Sequence, residues 1–334
     1  MTSKELVIKA ALFQGPERVP YCLPDEYGSD IINVGIRQNP NWKPSIAQTK
    51  TQWEDEWHCI WQRLSGDITK GQVVGHPLKS YDIFDTFQWP DFNVLERYND
   101  IKQAVKSNIH DKFILANIDF SLMHRLEYLR SHENAWTDPY IEPDNLRKLL
   151  DKLAELAIDQ VDMVAKAGAH GIISADDLGF QDRPMISPEI FHKFFAPYYK
   201  KVYQHARKKE LLNFLHSCGY ITELIDDLID AGLHVIQMDQ QENMGLENLA
   251  KRFGGKICFW CPVDIQKTMI LGTVDDVKAY AKKLIDTFGR YNGGFIAKWY
   301  PSPEAVGHTK EKIKAMSETF ISYGSEFYKK SLLI

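Results

Sequence analysis

The chain has 334 residues, 44% hydrophobic and 25% charged, with 40 Lys and Arg against 45 Asp and Glu for a formal charge of -5. That size and balance belong to a globular protein that buries its own core without disulfides or a structural metal. They disfavour a nucleic-acid partner, which needs a basic face. No run reaches the roughly 18 apolar residues of a membrane span, and Met1 to Glu5 carry no apolar signal core, so the expectation is a cytoplasmic protein.

The predicted elements begin with a short helix over 4–13, closed by Gly15-Pro16, and a short strand over 19–22 that ends at Pro24. Residues 42–92 hold Trp42, Trp53, Trp57, Trp61 and Trp89 with turn residues and little period. They read as loops and hairpins laid over one end of the molecule. From Asn99 the pattern becomes regular. Apolar strands are predicted at 112–118, 171–175, 211–215, 234–238, 256–260 and 294–298. Helices are predicted between and after them at 146–167, 188–208, 221–231, 246–253, 274–288 and 304–323. Ser187 before Pro188 is an N-cap followed by proline at the first helical position, and Gly232 closes the helix over 221–231. No repeat or linker divides the chain, so 1–334 reads as one domain, irregular to about 110 and regular from 111. Uniformly apolar strands alternating with helices define parallel βαβ units. A doubly wound sheet is the rival. No glycine-rich turn follows an early strand and the units persist to the C-terminus, so the expected fold is a (β/α)8 barrel of the TIM type with an elaborated N-terminal region.

In such a barrel, chemistry gathers at the C-terminal ends of the strands. Those ends carry Asp119, Asp176-Asp177, His216-Ser217-Cys218-Gly219, Asp239, Cys261 to Asp264, and Lys298-Trp299-Tyr300. An acid at a loop start is also a common helix cap, so each alone is weak. His216 and Cys218 form the sharpest pair: two residues apart, their side chains can point the same way, and imidazole with thiolate makes a good zinc pair. The five cysteines, 22, 59, 218, 258 and 261, are odd in number and sparse, which does not suit a disulfide framework. A buried polar pair with no metal is an equally good reading of His216 and Cys218; where a metal is bound, Cys261, at a later strand end, is the natural third ligand, and Cys258 is expected as a core residue. Asp177, Asp176 and Asp264 are candidates to orient substrate. Tyr21, Trp57, Trp260, Trp299 and Tyr300 are candidates for an aromatic pocket wall, with core packing at least as good a reading for each.

At these residues the chain resembles the uroporphyrinogen decarboxylase superfamily, and within it the cobalamin-linked methyltransferases, including the methylcobalamin:coenzyme M type. The resemblance runs through Trp53 to Trp57, His76 to Ser80, Phe87 to Asp91, Gly168 to Gly179, Ile186 to Pro188, Phe214 to Gly219, Phe253 to Asp264 and Gly293 to Ile296. It implies a (β/α)8 barrel, in agreement with the periodicity. True uroporphyrinogen decarboxylases carry an arginine-rich N-terminal segment that grips a polyacidic substrate. Here residues 18–27 read RVPYCLPDEY, with one arginine and two acids. The resemblance implies zinc bound through His216, Cys218 and a third ligand that the methyltransferases place after the last strand. That loop reads Ala297-Lys298-Trp299-Tyr300-Pro301, with neither Cys nor His, leaving Cys261 or Asp177 to complete the set. The implied activity is methyl transfer between a small substrate, such as a methoxylated aromatic or a thiol, and a corrinoid carried on a separate protein. The chain shows no second domain to hold a corrinoid of its own. A homodimer is compatible with this reading. The alternatives are a metal-free decarboxylase or lyase acting on a non-porphyrin substrate, with His216 as acid/base and Asp177 polarising the substrate, and an accessory corrinoid-binding module.

Overall fold

The computed structural model describes residues 1–66 and 71–331. Among the described residues eleven strands run in chain order: β1 (Tyr21–Cys22), β2 (Ile31–Gly35), β3 (Gln52–Glu54), β4 (Ile60–Gln62), β5 (Gln72–Gly75), β6 (Phe113–Asn117), β7 (Gly171–Ala175), β8 (Leu212–His216), β9 (Val235–Gln237), β10 (Cys258–Cys261) and β11 (Phe295–Lys298). Eight of them form one sheet in the order β1-β11-β10-β9-β8-β7-β6-β2, and every pairing in it is parallel. The two ends of that order are consecutive in the chain, so the sheet curls into a nearly closed TIM-type barrel. The irregular N-terminal region therefore supplies two barrel strands, of which only β1 was expected. β3, β4 and β5 make a separate antiparallel sheet inside the tryptophan-rich stretch. Residues 67–70 of that stretch lie outside the described residues.

Side-chain alternation splits the apolar residues into two cores. Ile31, Phe113, Leu115, Ile173, Leu212, Phe214, Val235, Cys258, Trp260 and Ile296 point into the barrel. Their strand neighbours, such as Ile114, Ile172, Leu215, Ile236, Phe259, Cys261 and Ala297, point out against the helices. The helix Ser3–Ala11 closes the N-terminal end of the barrel by placing Val7, Ala10 and Ala11 in the inner core. A Thr2/Glu5 capping box fixes its start. With one end plugged by packed side chains, the C-terminal ends of the strands surround the open cavity at the other.

The helices 246–253 and 274–288 fall where the sequence puts them. Among the described residues, the α-helices Asn99–Lys106, Met123–Arg130, His132–Ile141 and the single turn Thr268–Leu271 were not foreseen. Met123–Arg130 and His132–Ile141 bury polar residues (Arg125, Glu127, Arg130, Asp138) among their apolar ones, which erases the apolar stripe that sequence reading relies on. Arg130 forms a buried pair with Asp138 at 2.8 Å, and Tyr81 donates to the same carboxylate.

Candidate metal centre

In β8, Leu212 and Phe214 face inward, so His216 does too. Two residues further on, Cys218 lies in the turn that leaves the strand. Gly219 shapes that turn. Its φ is +80°, and a Cβ there would lie 2.0 Å from the Gly179 carbonyl oxygen, so only glycine lets the two loops close on each other. The close approach brings the β7 loop to the β8 loop: the Tyr220 N–H donates to the Phe180 carbonyl at 2.7 Å and the Cys218 N–H to Asp177 Oδ1 at 2.8 Å.

The outcome is a cluster of three unlike groups. His216 Nε2 is 3.4 Å from Cys218 Sγ and 3.4 Å from Asp177 Oδ1, and the ligand atoms of all three residues lie within 4.8 Å of one another. A tetrahedral zinc with bonds of about 2.0 to 2.3 Å separates its ligands by roughly 3.3 to 3.8 Å, and the two contacts of His216 fall in that range.

The tautomer of His216 points the same way. In the register of β8 and β9, His216 sits opposite Gln237, and its Nδ1 meets Gln237 Oε1 in a short hydrogen bond. The Gln237 amide nitrogen is committed to Asp239 Oδ1 at 2.9 Å, so the oxygen faces the ring and Nδ1 carries the hydrogen. In the neutral ring, the form that binds a metal, Nε2 then carries the lone pair that faces Cys218 and Asp177. Three electron-rich groups that close require a proton or a cation among them. Without a metal, burial works against the charged imidazole, but Asp177 and Cys218 outweigh it and raise the His216 pKa well above its ordinary value. For Asp177 burial acts upward, while the contact with His216, the Cys218 N–H and His124 carry its pKa down to about 2.

Beside the cluster, at the mouth of the barrel, is a cavity of about 430 Å³ whose wall includes Cys22, Asn117, His216, Gln237, Trp260 and Lys298. It shares Asn117 and Ile118 with a second cavity of about 560 Å³ under the antiparallel sheet, where Trp57, Asp119 and Arg125 meet. The Trp57 ring nitrogen donates to Asp119 at 2.7 Å, and the Arg125 guanidinium lies 4.1 Å from the centre of a Trp57 ring.

The expected site residues separate accordingly. His216, Cys218 and Asp177 come together. Trp260 and Trp299 line the cavity beside His216, and Trp57 lines the adjoining one. Cys261 does not join the cluster. It is fully buried in the outer core with Phe259, because β10 turns Cys258 and Trp260 inward, and Asp177 occupies the third position instead. Asp176 is fully buried and accepts hydrogen bonds from the N–H groups of Leu122, Met123 and His124 and from the Tyr199 hydroxyl. It anchors a helix start rather than facing the cavity. Asp264 accepts from the N–H groups of Gln266, Lys267 and Thr268, a turn cap away from both cavities. Tyr21 faces outward under the Arg18 guanidinium, leaving Cys22 on the cavity side. Tyr300 packs edge-on to His308.

Sequence reasoning missed His124, whose Nε2 is 3.9 Å from Asp177 Oδ2 and whose ring stacks on Tyr128. It also missed Gln237. Counting inward-facing positions along β9 finds Gln237, whereas His124 belongs to a helix that gave no periodic signal.

The profile of the uroporphyrinogen decarboxylase (URO-D) family matches residues 92–319, well over half of the chain. The chain belongs to that family. Among curated proteins it is 26% identical over 160 residues to a uroporphyrinogen decarboxylase of Pseudoalteromonas translucida, covering 46% of this chain and 42% of that one. It is likewise 26% identical over 148 residues to the methylcobamide:CoM methyltransferase MtbA of Methanosarcina mazei, covering 43% and 41%. The matches thus span about half or less of these relatives' length. Among solved structures, a methyltransferase from Methanosarcina mazei superposes with a TM-score of 0.71 at 17% identity, covering 97% of this chain and 99% of that one. That likeness carries the fold over nearly the whole chain.

Proposed function

We propose that the chain is a zinc-dependent methyltransferase that moves a methyl group between a small substrate and a corrinoid carried on a separate protein. The observation that supports this best is the convergence of His216, Cys218 and Asp177 beside the barrel cavity, with His216 Nε2 3.4 Å from both Cys218 Sγ and Asp177 Oδ1. Three protein ligands with a fourth position left for substrate is the pattern of a catalytic rather than a structural zinc. The similarity to the methylcobamide:CoM methyltransferase points to the corrinoid partner.

Bound there, zinc supplies Lewis acidity, lowering the pKa of a thiol or polarising an oxygen placed at its open position. The chain's own residues do the rest. Gln237 holds the His216 ring with its Nε2 lone pair toward the ligand cluster. Trp260, Ile118 and Ile173 give the cavity apolar wall that keeps water from the reacting atom. The methyl group passes without its bonding electron pair, so a thiol acceptor loses its proton and the pair stays on the departing atom. The N-terminal segment disfavours porphyrinogen decarboxylation: its one arginine, Arg18, is spent on Asp30 at 2.6 Å and is not free for a substrate carboxylate.

The test is incubation of zinc-loaded protein with methylcobalamin and a panel of thiols and phenols, following demethylation at cobalt by absorbance. Turnover with at least one acceptor, lowered at least 100-fold in His216→Ala, is the expected outcome. No transfer with any acceptor, together with carboxylate loss from a test acid that survives chelation, would favour the metal-free alternative.

A further inference from the structure

We infer that Lys298 sets the metal affinity of the His216 centre from the far side of the barrel, through Asp239 and Gln237; this inference rests on the zinc reading above. Lys298 is the last residue of β11, and its ammonium lies 2.8 Å from Asp239 Oδ1. The same carboxylate oxygen accepts from the Gln237 amide nitrogen at 2.9 Å, and Gln237 Oε1 meets His216 Nδ1. The relay crosses the inner face from β11 to β8. Its members are nearly out of water: Gln237, Asp239 and Lys298 are 5%, 6% and 8% exposed. Hydrogen bonds and charges act strongly there.

The relay matters because a carboxamide has two ends. With its oxygen toward His216, Gln237 forces the proton onto Nδ1 and leaves Nε2 free to bind metal. Turned over, it would offer an N–H to Nδ1 and drive the imidazole proton to Nε2, pointing it at Cys218 Sγ and Asp177. That tautomer cannot ligate through Nε2. A carboxylate only accepts hydrogen bonds, so Asp239 selects the amide end of Gln237 and thereby the metal-binding tautomer. Lys298 balances the buried charge of Asp239 and holds it in place. A hydrogen-bond partner behind a ligating histidine typically changes metal affinity 10- to 100-fold, and here that partner is itself controlled by a residue on another strand. The neighbouring inward groups of β10 and β11, Trp260 and Ile296, are apolar, so the pair stands in otherwise apolar surroundings.

The test measures zinc affinity of purified protein by competition with a chromogenic chelator, with thermal unfolding of the zinc-free proteins alongside. Lys298→Met should weaken zinc binding at least 10-fold, and Lys298→Arg, which keeps the ion pair, should restore it to within about 3-fold of wild type. Where Lys298→Met does not fold, the Lys298→Met/Asp239→Leu double variant removes both charges and should show the same weakening, because Gln237 is then free to turn. Wild-type affinity in either folded variant overturns the relay while leaving the zinc reading intact. Failure of the wild-type protein itself to bind zinc overturns the zinc reading and the relay with it.

Discussion

Asp176 and Asp177 are adjacent in sequence, and the last residues of β7 turn them to opposite duties. Asp177 stands at the ligand cluster; Asp176 holds four donors in the dry layer behind it. Replacing Asp176 by alanine orphans those donors. Each unsatisfied buried group costs about 1 to 3 kcal/mol, so the variant should unfold with a loss of at least about 3 kcal/mol in urea titration, yet still bind zinc where it is folded. A variant as stable as wild type would contradict the anchoring role. His216 and Cys218 were legible at this scale because two-residue spacing at a strand end is enough to align them. Cys261 was misplaced for the same reason: its usefulness as a ligand depends on the parity of β10, and the strand runs on through Cys261 rather than ending before it. Once Cys258 and Trp260 face inward, Cys261 must face the helices.

At the scale of elements, the later barrel strands were readable because a strand covered on both faces is apolar throughout. β2 was not. Its sequence, Ile31 to Gly35, includes Asn33, and the face that is apolar in other strands opens here into the barrel mouth. Two barrel joints have a feature that the sequence gives no hint of. His170 precedes β7 and His234 precedes β9, and each uses Nδ1 to accept a backbone N–H of a neighbouring strand, from Ile114 and Asn213 respectively, both at 2.9 Å. Both imidazoles must therefore stay neutral in the fold. Burial, then the nearby Arg207, pushes His234 down to about 4 from an ordinary 6.5. Burial and Lys4 likewise lower His170, against a smaller opposing pull from Asp111. A lowered histidine pKa means the unfolded chain takes up protons first as pH falls. The stabilisation is complete above about pH 6.5 and is lost between there and pH 4, at no more than about 1.4 kcal/mol per pH unit for His234. Urea midpoints at pH 7.5 and pH 5 should differ less in His234→Gln, whose amide oxygen can accept the same N–H without titrating. An unchanged pH dependence in that variant would remove His234 as a source of acid sensitivity.

For the whole molecule, the barrel followed from the regular β/α alternation alone, and the family match and the 0.71 superposition agree with it. The site depends on something alternation does not display: the loops after β7 and β8 touch, through Gly179 and Gly219, and so carry Asp177 to a histidine and a cysteine. Among the described residues no helix is long and apolar enough to cross a membrane. The direct measurement is elemental analysis of purified protein, alongside His216→Ala, Cys218→Ser and Asp177→Asn, with Cys261→Ser as the control. The expected result is about one zinc per chain in wild type and in Cys261→Ser, with loss in His216→Ala and Cys218→Ser and weakening in Asp177→Asn. A wild-type protein that takes up no zinc when it is supplied, or one that loses its zinc on replacement of Cys261 and keeps it on replacement of Asp177, would contradict the centre described above.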